Sequence, residues 1–165
     1  MRATACCTRR AASCPATAHS FSAGSRADME RIQPASGALA DAYIAGCRVG
    51  ELRLQRCGSC GIYQFYPRII CGSCLSDELE WSAASGHGEI RSFTVVRRPI
   101  SKAYEAPYVV ALIKLEEGPT LMSHIVDCAP EAVAVGLSVQ VKFAAWSENV
   151  TLPVFTLDSQ RGSSS

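Results

Sequence analysis

The sequence of 165 residues lacks three features that assign a protein to a broad class. It has no stretch approaching the roughly 20 apolar residues that a membrane-spanning helix needs. Its 16 basic and 15 acidic residues almost cancel, which removes the electrostatic argument for binding nucleic acid or an anionic membrane. It has no apolar core of a secretory signal near its start. With 48% hydrophobic and 19% charged residues it is a globular protein, and we expect it in the cytoplasm.

The two ends differ in composition from the rest of the chain. Residues 1–27 contain four arginines and no acidic residue. An Arg- and Ser-rich leader is typical of organelle transit peptides, but no amphipathic helix stands out. We therefore predict that residues 1–28 are a disordered leader or result from a start assigned too early, with Met29 as the first residue. We expect residues 159–165, a Gly/Ser tail, to be flexible.

Nine cysteines are the most informative feature of the composition. An odd count without a secretory signal argues against a disulfide framework. Four of them form two Cys-x2-Cys pairs, Cys57 with Cys60 and Cys71 with Cys74, separated by ten residues. Each pair can supply two thiolates from one tight turn, in which glycine permits a positive φ, and four thiolates satisfy the tetrahedral coordination of Zn²⁺. The spacer predicts a short strand, a turn at Pro67-Arg68 and a return strand at Ile69-Ile70, the geometry of a zinc ribbon.

Other interpretations of the two pairs are weaker. A thioredoxin-like redox site needs one pair rather than two, and two disulfides need an oxidising compartment. Iron in a rubredoxin-type site is poorly separated from zinc by sequence alone. With four cysteines the coordination shell is closed, so we predict a structural metal and no catalytic residue there.

The remaining pattern is mainly β. The spacing from Ser36 to Gly50 predicts a short helix, with Ser36 as its N-cap and Gly50 as its stop. Beyond residue 80 the alternation predicts five strands and a small Greek-key barrel, with the OB-fold as leading candidate; the strands are expected at 89–98, 108–115, 121–126, 138–144 and 150–157. The expected organisation is a helical lead-in (29–54), a zinc ribbon (55–80) and an OB-fold (81–158).

The strand predicted at residues 108–115 is apolar on both faces. A barrel wall is expected to expose one face to water. Either the helix and ribbon of the same chain cover the outer face, or another protein does.

Several motifs occur together in a fixed order: DAYIAGC at 41–47, GELRLQRC at 50–57, the two cysteine pairs, LEW at 79–81, GHG at 86–88, SFTVV at 92–96 and PYVVA at 107–111. Over residues 40–157 the chain resembles the family of OB-fold proteins with a rubredoxin-like zinc ribbon, long catalogued as a domain of unknown function. One departure is Tyr43, where the family often has tryptophan.

The resemblance implies a role in acyl-CoA metabolism. Members of the family form complexes with thiolases, with aldolases of steroid side-chain breakdown, or with hydratases of the hot-dog fold, as scaffolds or in channelling an acyl-CoA thioester. The family offers no established catalytic residues. Only Cys57, Cys60, Cys71 and Cys74 match a functional pattern residue by residue.

The leading hypothesis is therefore a non-catalytic accessory subunit that binds a thiolase-like, aldolase or hydratase partner and contacts acyl-CoA. Candidate cations for the CoA phosphates are Arg68, Arg97, Arg98 and Lys102, for which the plain alternative is solvated surface charge.

Two rival hypotheses come from other classes of protein. Zinc ribbons and OB barrels also bind single-stranded nucleic acid, but among the middle strands only Tyr108 offers an aromatic platform, and residues 29–165 are net acidic. A Cys–His enzyme built on Cys128 and His124 is opposed by their spacing, which on a strand separates them by roughly 13 Å.

Overall fold

A computed structural model describes residues 37–100, 104–147 and 150–158. The elements are α1 (Asp41–Arg48), β1 (Arg53–Cys57), β2 (Tyr63–Gln64), β3 (Leu79–Ala83), β4 (His87–Val96), β5 (Tyr108–Leu115), β6 (Thr120–Ile125), a 3-10 turn (Pro130–Ala132), β7 (Ser138–Ala145) and β8 (Thr151–Leu157). The predictions for the leader, for the Ser/Gly tail, for Ser36 and for Lys102 fall outside the described residues. The prediction of a mainly β chain with one amino-terminal helix is confirmed.

The helix begins later than the sequence predicts. The N–H groups of Ala40 and Asp41 donate to the carbonyl of Gly37, so a turn precedes α1, and Ala40 is its N-cap without a capping side chain. The helix ends as predicted, because Gly50 adopts a φ of 78°. The described residues include no helix with the length and hydrophobicity that a membrane crossing requires.

The ribbon is a three-stranded antiparallel sheet in the order β2-β1-β3. Strand β2 is only two residues long, and the predicted return strand at Ile69-Ile70 is wrong. The physical reason is that β3 occupies the second edge of β1, while the backbone of Arg68 bonds to the side chain of Gln55 instead of to a strand. Residues 65–78 are therefore a loop that carries the second cysteine pair.

The second half closes into a five-stranded barrel in the order β4-β5-β6-β8-β7, with β7 pairing back onto β4. All pairs are antiparallel except β6 with β8, which meet in parallel at Ile125 and Phe155. A bulge between Ile90 and Ser92 shifts the register of β4 against β5, and the first residues of β4, at 87–89, also pair with β7. The topology confirms the OB-fold, and the five predicted strands lie within two residues of the observed ones.

One continuous core joins ribbon and barrel. Leu52 and Leu54, from the start of the ribbon, are buried in the same cluster as Ile113 of β5 and Phe155 of β8, and α1 packs against β1 and β8. The outer face of β5 is incompletely covered by this packing. Val110 is half-buried, but Leu112 is 43% exposed, and its partner Met122 on β6 is 61% exposed.

Candidate metal centre and aromatic groove

The ribbon brings the four predicted cysteines together. The sulfur atoms of Cys57, Cys60, Cys71 and Cys74 all lie within 4.8 Å of one another, and all four are free thiols. The distance from Cys57 Sγ to Cys74 Sγ is 3.5 Å, and that from Cys60 Sγ to Cys71 Sγ is 3.6 Å. A tetrahedral zinc ion with Zn–S bonds of about 2.3 Å needs sulfur atoms about 3.8 Å apart. The four sulfur ligands and the distances between them therefore fit a tetrahedral metal ion such as zinc.

Two similar turns hold the sulfurs in place. The N–H of Gly61 donates to the carbonyl of Cys57 at 2.8 Å, and the N–H of Leu75 donates to the carbonyl of Cys71 at 3.1 Å. Gly61 has a φ of 73°, as the sequence predicted for a knuckle glycine, but Leu75 has a φ of 64°. A leucine in the left-handed region costs about 1 kcal/mol or more. The backbone of the second turn is therefore strained at Leu75, and the side chain of Leu75 is 70% exposed.

Backbone amides point at the sulfur of the buried cysteine in each pair. Hydrogen bonds from the N–H groups of Cys74 and Ser73 lower the pKa of the Cys71 thiol to about 6. The N–H of Cys60 likewise lowers the pKa of the Cys57 thiol. The thiolate is the form that binds metal, so these amides favour the ligating state.

Side chains bind the two turns to each other. The hydroxyl of Ser59, in the first turn, lies 2.9 Å from the hydroxyl of Ser76 and donates to Glu78 Oε2 at 2.7 Å. The N–H of Gly58 also donates to the carbonyl of Glu78. Both cysteine pairs are thus fixed relative to one another by bonds that do not involve sulfur.

The side chains of Gln55 and Gln64, which we call the glutamine relay, connect β1 to the turn of the second cysteine pair. The side chain of Gln55, 5% exposed, accepts from the N–H of Arg68 at 2.8 Å and donates to its carbonyl at 3.0 Å. The amide of Gln64 donates to Gln55 Oε1 and accepts from the N–H of Gly72. The loop between the cysteine pairs is therefore held by two side chains.

We expect Gln55→Ala to destabilise the ribbon by about 1–3 kcal/mol, because it removes a buried side chain that bonds both the N–H and the carbonyl of Arg68. Urea unfolding measures the loss, and Gln140→Ala, at an exposed glutamine on β7, is the matched control. Equal stability of the two variants would show that the relay does not hold the loop.

Four exposed aliphatic side chains are close in sequence to the cysteines of the cluster. Each lies within two residues of a cysteine in the sequence; they are Ile62, Ile69, Ile70 and Leu75, and we call them the ribbon tip. Ile69 is 72% exposed, and none of the four is buried. Because the four sulfurs lie together, these side chains share one end of the ribbon.

An apolar groove of about 430 Å³ lies where α1, the loop after β2 and the barrel meet. One wall carries Tyr43, Phe65 and Tyr66, whose successive ring centroids lie 5.4 and 4.4 Å apart. The opposite wall carries Tyr104, Met122, His124 and Trp146. The ring of His124 stacks on Tyr108 at 5.3 Å, and Tyr104 contacts Trp146 at 5.7 Å. We call this the aromatic groove.

Sequence reasoning missed the aromatic groove. It noted Tyr108 alone among the middle strands, whereas the structure brings Tyr104 and Trp146 against Tyr108 and His124 from loops far apart in the chain. No local pattern signals such a cluster, because closure of the barrel makes the contacts.

Comparison with known proteins gives the family. The model for the ChsH2 rubredoxin-like zinc ribbon domain matches residues 45–80, and the model for the ChsH2 C-terminal OB-fold domain matches residues 81–144. A DUF35 domain-containing scaffold protein of Methanothermobacter thermautotrophicus is 41% identical over 91 residues, which are 54% of this chain and 68% of that protein. The chain belongs to the DUF35 family.

Two further relatives are named for enzymes. A probable enoyl-CoA hydratase alpha subunit of Thermomonospora curvata is 36% identical over 113 residues, 68% of this chain, but the chain spans only 35% of that protein's length. The solved structure of an Ltp2-ChsH2(DUF35) aldolase has a chain that is 31% identical, with a TM-score of 0.71, covering 76% of this chain and 98% of that one. The DUF35 fold therefore occurs both as a separate chain and as part of longer proteins.

The cysteine cluster lies within the segment that matches the DUF35 family's zinc ribbon. This match and the four converging sulfurs identify a four-cysteine region suited to metal binding. Cys128, outside the ribbon, differs from these residues, because burial and the charge of Asp127 raise the pKa of its thiol. A raised pKa is the opposite of what a nucleophilic cysteine needs.

The candidate phosphate ligands are not assembled into a site. The side chains of Arg68, Arg97 and Arg98 are exposed, none of them lines the aromatic groove, and none forms an ion pair within the described part of the chain. Lys102 lies outside the described residues. Binding of CoA phosphates by these four residues stays a prediction.

Proposed function

We propose that this DUF35 chain is a non-catalytic accessory subunit that docks on an enzyme of acyl-CoA metabolism. The partner class is a thiolase-like enzyme, an aldolase or a hot-dog hydratase. The observation that carries the proposal is the ribbon tip, where four aliphatic side chains stand exposed around the cysteine cluster. Exposed apolar side chains grouped in this way are typical of surfaces that another protein covers.

The strained turn at Leu75 supports the same surface. A glycine at this position would relieve the left-handed backbone, as Gly61 does in the first turn. The chain instead keeps a leucine that is mostly exposed and so contributes little to its own core. A residue that costs stability and packs poorly within its own chain is consistent with a contact made to a partner. The names of the relatives, which are a scaffold protein, a probable enoyl-CoA hydratase alpha subunit and an Ltp2-ChsH2(DUF35) aldolase, support the same role.

Zinc is the proposed occupant of the cysteine site. Cys57, Cys60, Cys71 and Cys74 would hold it in a closed shell, in which the metal stabilises the fold and has no open position for substrate. Cysteines that stay reduced and form no disulfides are typical of a reducing compartment, so we propose that the protein is located in the cytoplasm.

We expect the purified chain to contain about one zinc per molecule and to show no iron–thiolate absorption in the visible range. Elemental analysis by mass spectrometry gives the metal content. Replacement by Co²⁺ should produce the intense absorption bands of a tetrahedral thiolate site. Stoichiometric iron in protein from zinc-supplemented cells would overturn the choice of metal.

Arg68, Arg97, Arg98 and Lys102 are the proposed contacts for CoA phosphates once a partner is bound. The side chains of Arg68, Arg97 and Arg98 form no ion pair with another described residue. A partner that closes over the ribbon would bring a thioester near Arg68. The phosphates themselves need cations, which the aromatic groove does not provide among its described lining residues.

Co-expression with candidate partners tests the proposal. The chain is produced together with thiolase-like, aldolase and hydratase enzymes, and the mass of each purified assembly is measured by native mass spectrometry. A stable complex with one of them supports the accessory role. A chain that stays alone with every enzyme, yet binds single-stranded DNA with an affinity that falls as salt rises, would replace the proposal by nucleic-acid binding.

A further inference from the structure

The aromatic groove is a concave site with walls from three parts of the fold. Residues from α1, from the loop after β2 and from β6 and β8 face a common space of about 430 Å³. This volume lies in the range of sites that take small molecules, which are usually concave and mostly apolar. The ribbon tip, in contrast, is a set of exposed side chains around the cysteine turns.

The chemistry of the walls selects an uncharged ligand. Tyr43, Phe65, Tyr66, Tyr104 and Trp146 present rings, and no charged side chain lines the groove among the described residues. Burial lowers the pKa of His124, so its ring is neutral near pH 7. A phosphate or a carboxylate would lose its hydration here without gaining a cation. A hydrocarbon group that entered the groove would leave water and gain contact with the aromatic rings and with the thioether of Met122.

We propose that the aromatic groove binds the hydrocarbon part of an acyl thioester, either an acyl chain or a fused ring, while the charged part of the molecule stays outside. The choice of a thioester rests on the proposed function. The preference for hydrocarbon rests on the groove alone and belongs to the isolated chain. An apolar side chain inserted by a partner protein is the competing occupant, which predicts no binding by the isolated chain.

The methyl signal of Met122 reports directly whether the aromatic groove is occupied by a ligand. It lies in the wall of the groove, is 61% exposed, and is the one methionine of three that falls within the described residues. The full chain with ¹³C-labelled methionine methyl groups is titrated with two neutral probes, the acetyl and hexanoyl thioesters of N-acetylcysteamine. The Met122 signal is assigned with Met122→Leu.

We expect the hexanoyl probe to shift the Met122 signal and to bind at least about tenfold more tightly than the acetyl probe, since four further methylenes are partly buried. The proposal would be overturned if neither probe shifts the Met122 signal, or if both probes bind with equal affinity. The two affinities are measured on the unaltered chain, and the variant Met122→Leu serves only to assign the signal.

A pair of helix variants locates the binding. Ala40→Trp places a large ring at the edge of the groove and should weaken hexanoyl binding at least about tenfold. Ala45→Trp, at an exposed position of α1 that does not line the groove, should leave it unchanged. Equal effects of both variants would contradict the location. If the chain forms no complex with any enzyme, the proposed accessory role is wrong. The measured binding of the hexanoyl probe to the groove would still stand.

Discussion

Replacement of Cys71 by serine should abolish stoichiometric zinc binding and unfold the ribbon. Cys71 is 1% exposed, supplies one of the four sulfurs, and accepts a hydrogen bond from the N–H of Ser73. In small zinc domains the metal contributes about 10–16 kcal/mol of apparent folding free energy, so loss of one ligand removes a large share of ribbon stability. Zinc content and the circular dichroism melting curve measure both consequences.

The effect should extend into the barrel. Leu52 and Leu54 belong to the same buried cluster as Phe155, so an unfolded ribbon uncovers part of the barrel core. We expect one unfolding transition at lower temperature rather than an intact barrel with a melted ribbon. Cys128→Ser, at a half-buried cysteine outside the ribbon, is the control and should keep its zinc. Full zinc content and unchanged melting of Cys71→Ser would contradict a structural metal.

Ile69→Asp and Leu75→Asp should each weaken assembly with the partner enzyme at least about 100-fold, because a carboxylate would be desolvated at the centre of the contact. Both side chains are mostly exposed in the free chain, so its own stability should change little. The dissociation constant of the complex, measured by calorimetry, and the melting temperature of the free variant separate these two effects.

Val135→Asp is the matched control for this pair. Val135 is an exposed aliphatic residue outside the ribbon, on the connection before β7, and its substitution should leave assembly unchanged. Leu112→Glu tests the outer face of β5. If Leu112→Glu disrupts the complex while Ile69→Asp does not, the partner contacts the barrel and the ribbon tip is the wrong surface.

The parts of the fold that were predictable are those determined by local spacing. The two cysteine pairs lie ten residues apart, residues 108–115 form an almost continuous apolar run, and residues 138–144 alternate between inward and outward side chains, so all three patterns are visible in the sequence. Gly50 marked the end of α1 because a positive φ is needed there. These features depend on a residue and its near neighbours.

The missed features depend on contacts between distant residues. Ile69 and Ile70 have the composition of a strand, but the side chain of Gln55 takes the backbone groups of Arg68 beside them. Tyr104 and Trp146 meet only because the barrel closes. The left-handed Leu75 carries no sequence signal, since a leucine there is disfavoured locally. Tertiary packing decided each case.

The proposed metal site and the proposed docking surface are adjacent in the sequence. Each residue of the ribbon tip lies within two positions of a cysteine, so the geometry that collects the sulfurs also collects the aliphatic side chains. A zinc ion held there would fix an apolar surface that the short ribbon strands could not maintain alone. On this account the site stabilises a contact rather than carrying out a reaction.

The most direct test of the accessory role is a titration of enzyme activity. The co-purifying thiolase-like, aldolase or hydratase enzyme is assayed alone and with increasing amounts of this chain, at fixed thioester concentration. The account predicts that the rate rises and saturates at one DUF35 chain per enzyme site, and that Ile69→Asp shifts the curve to much higher concentration. A rate that is the same at every ratio would contradict it.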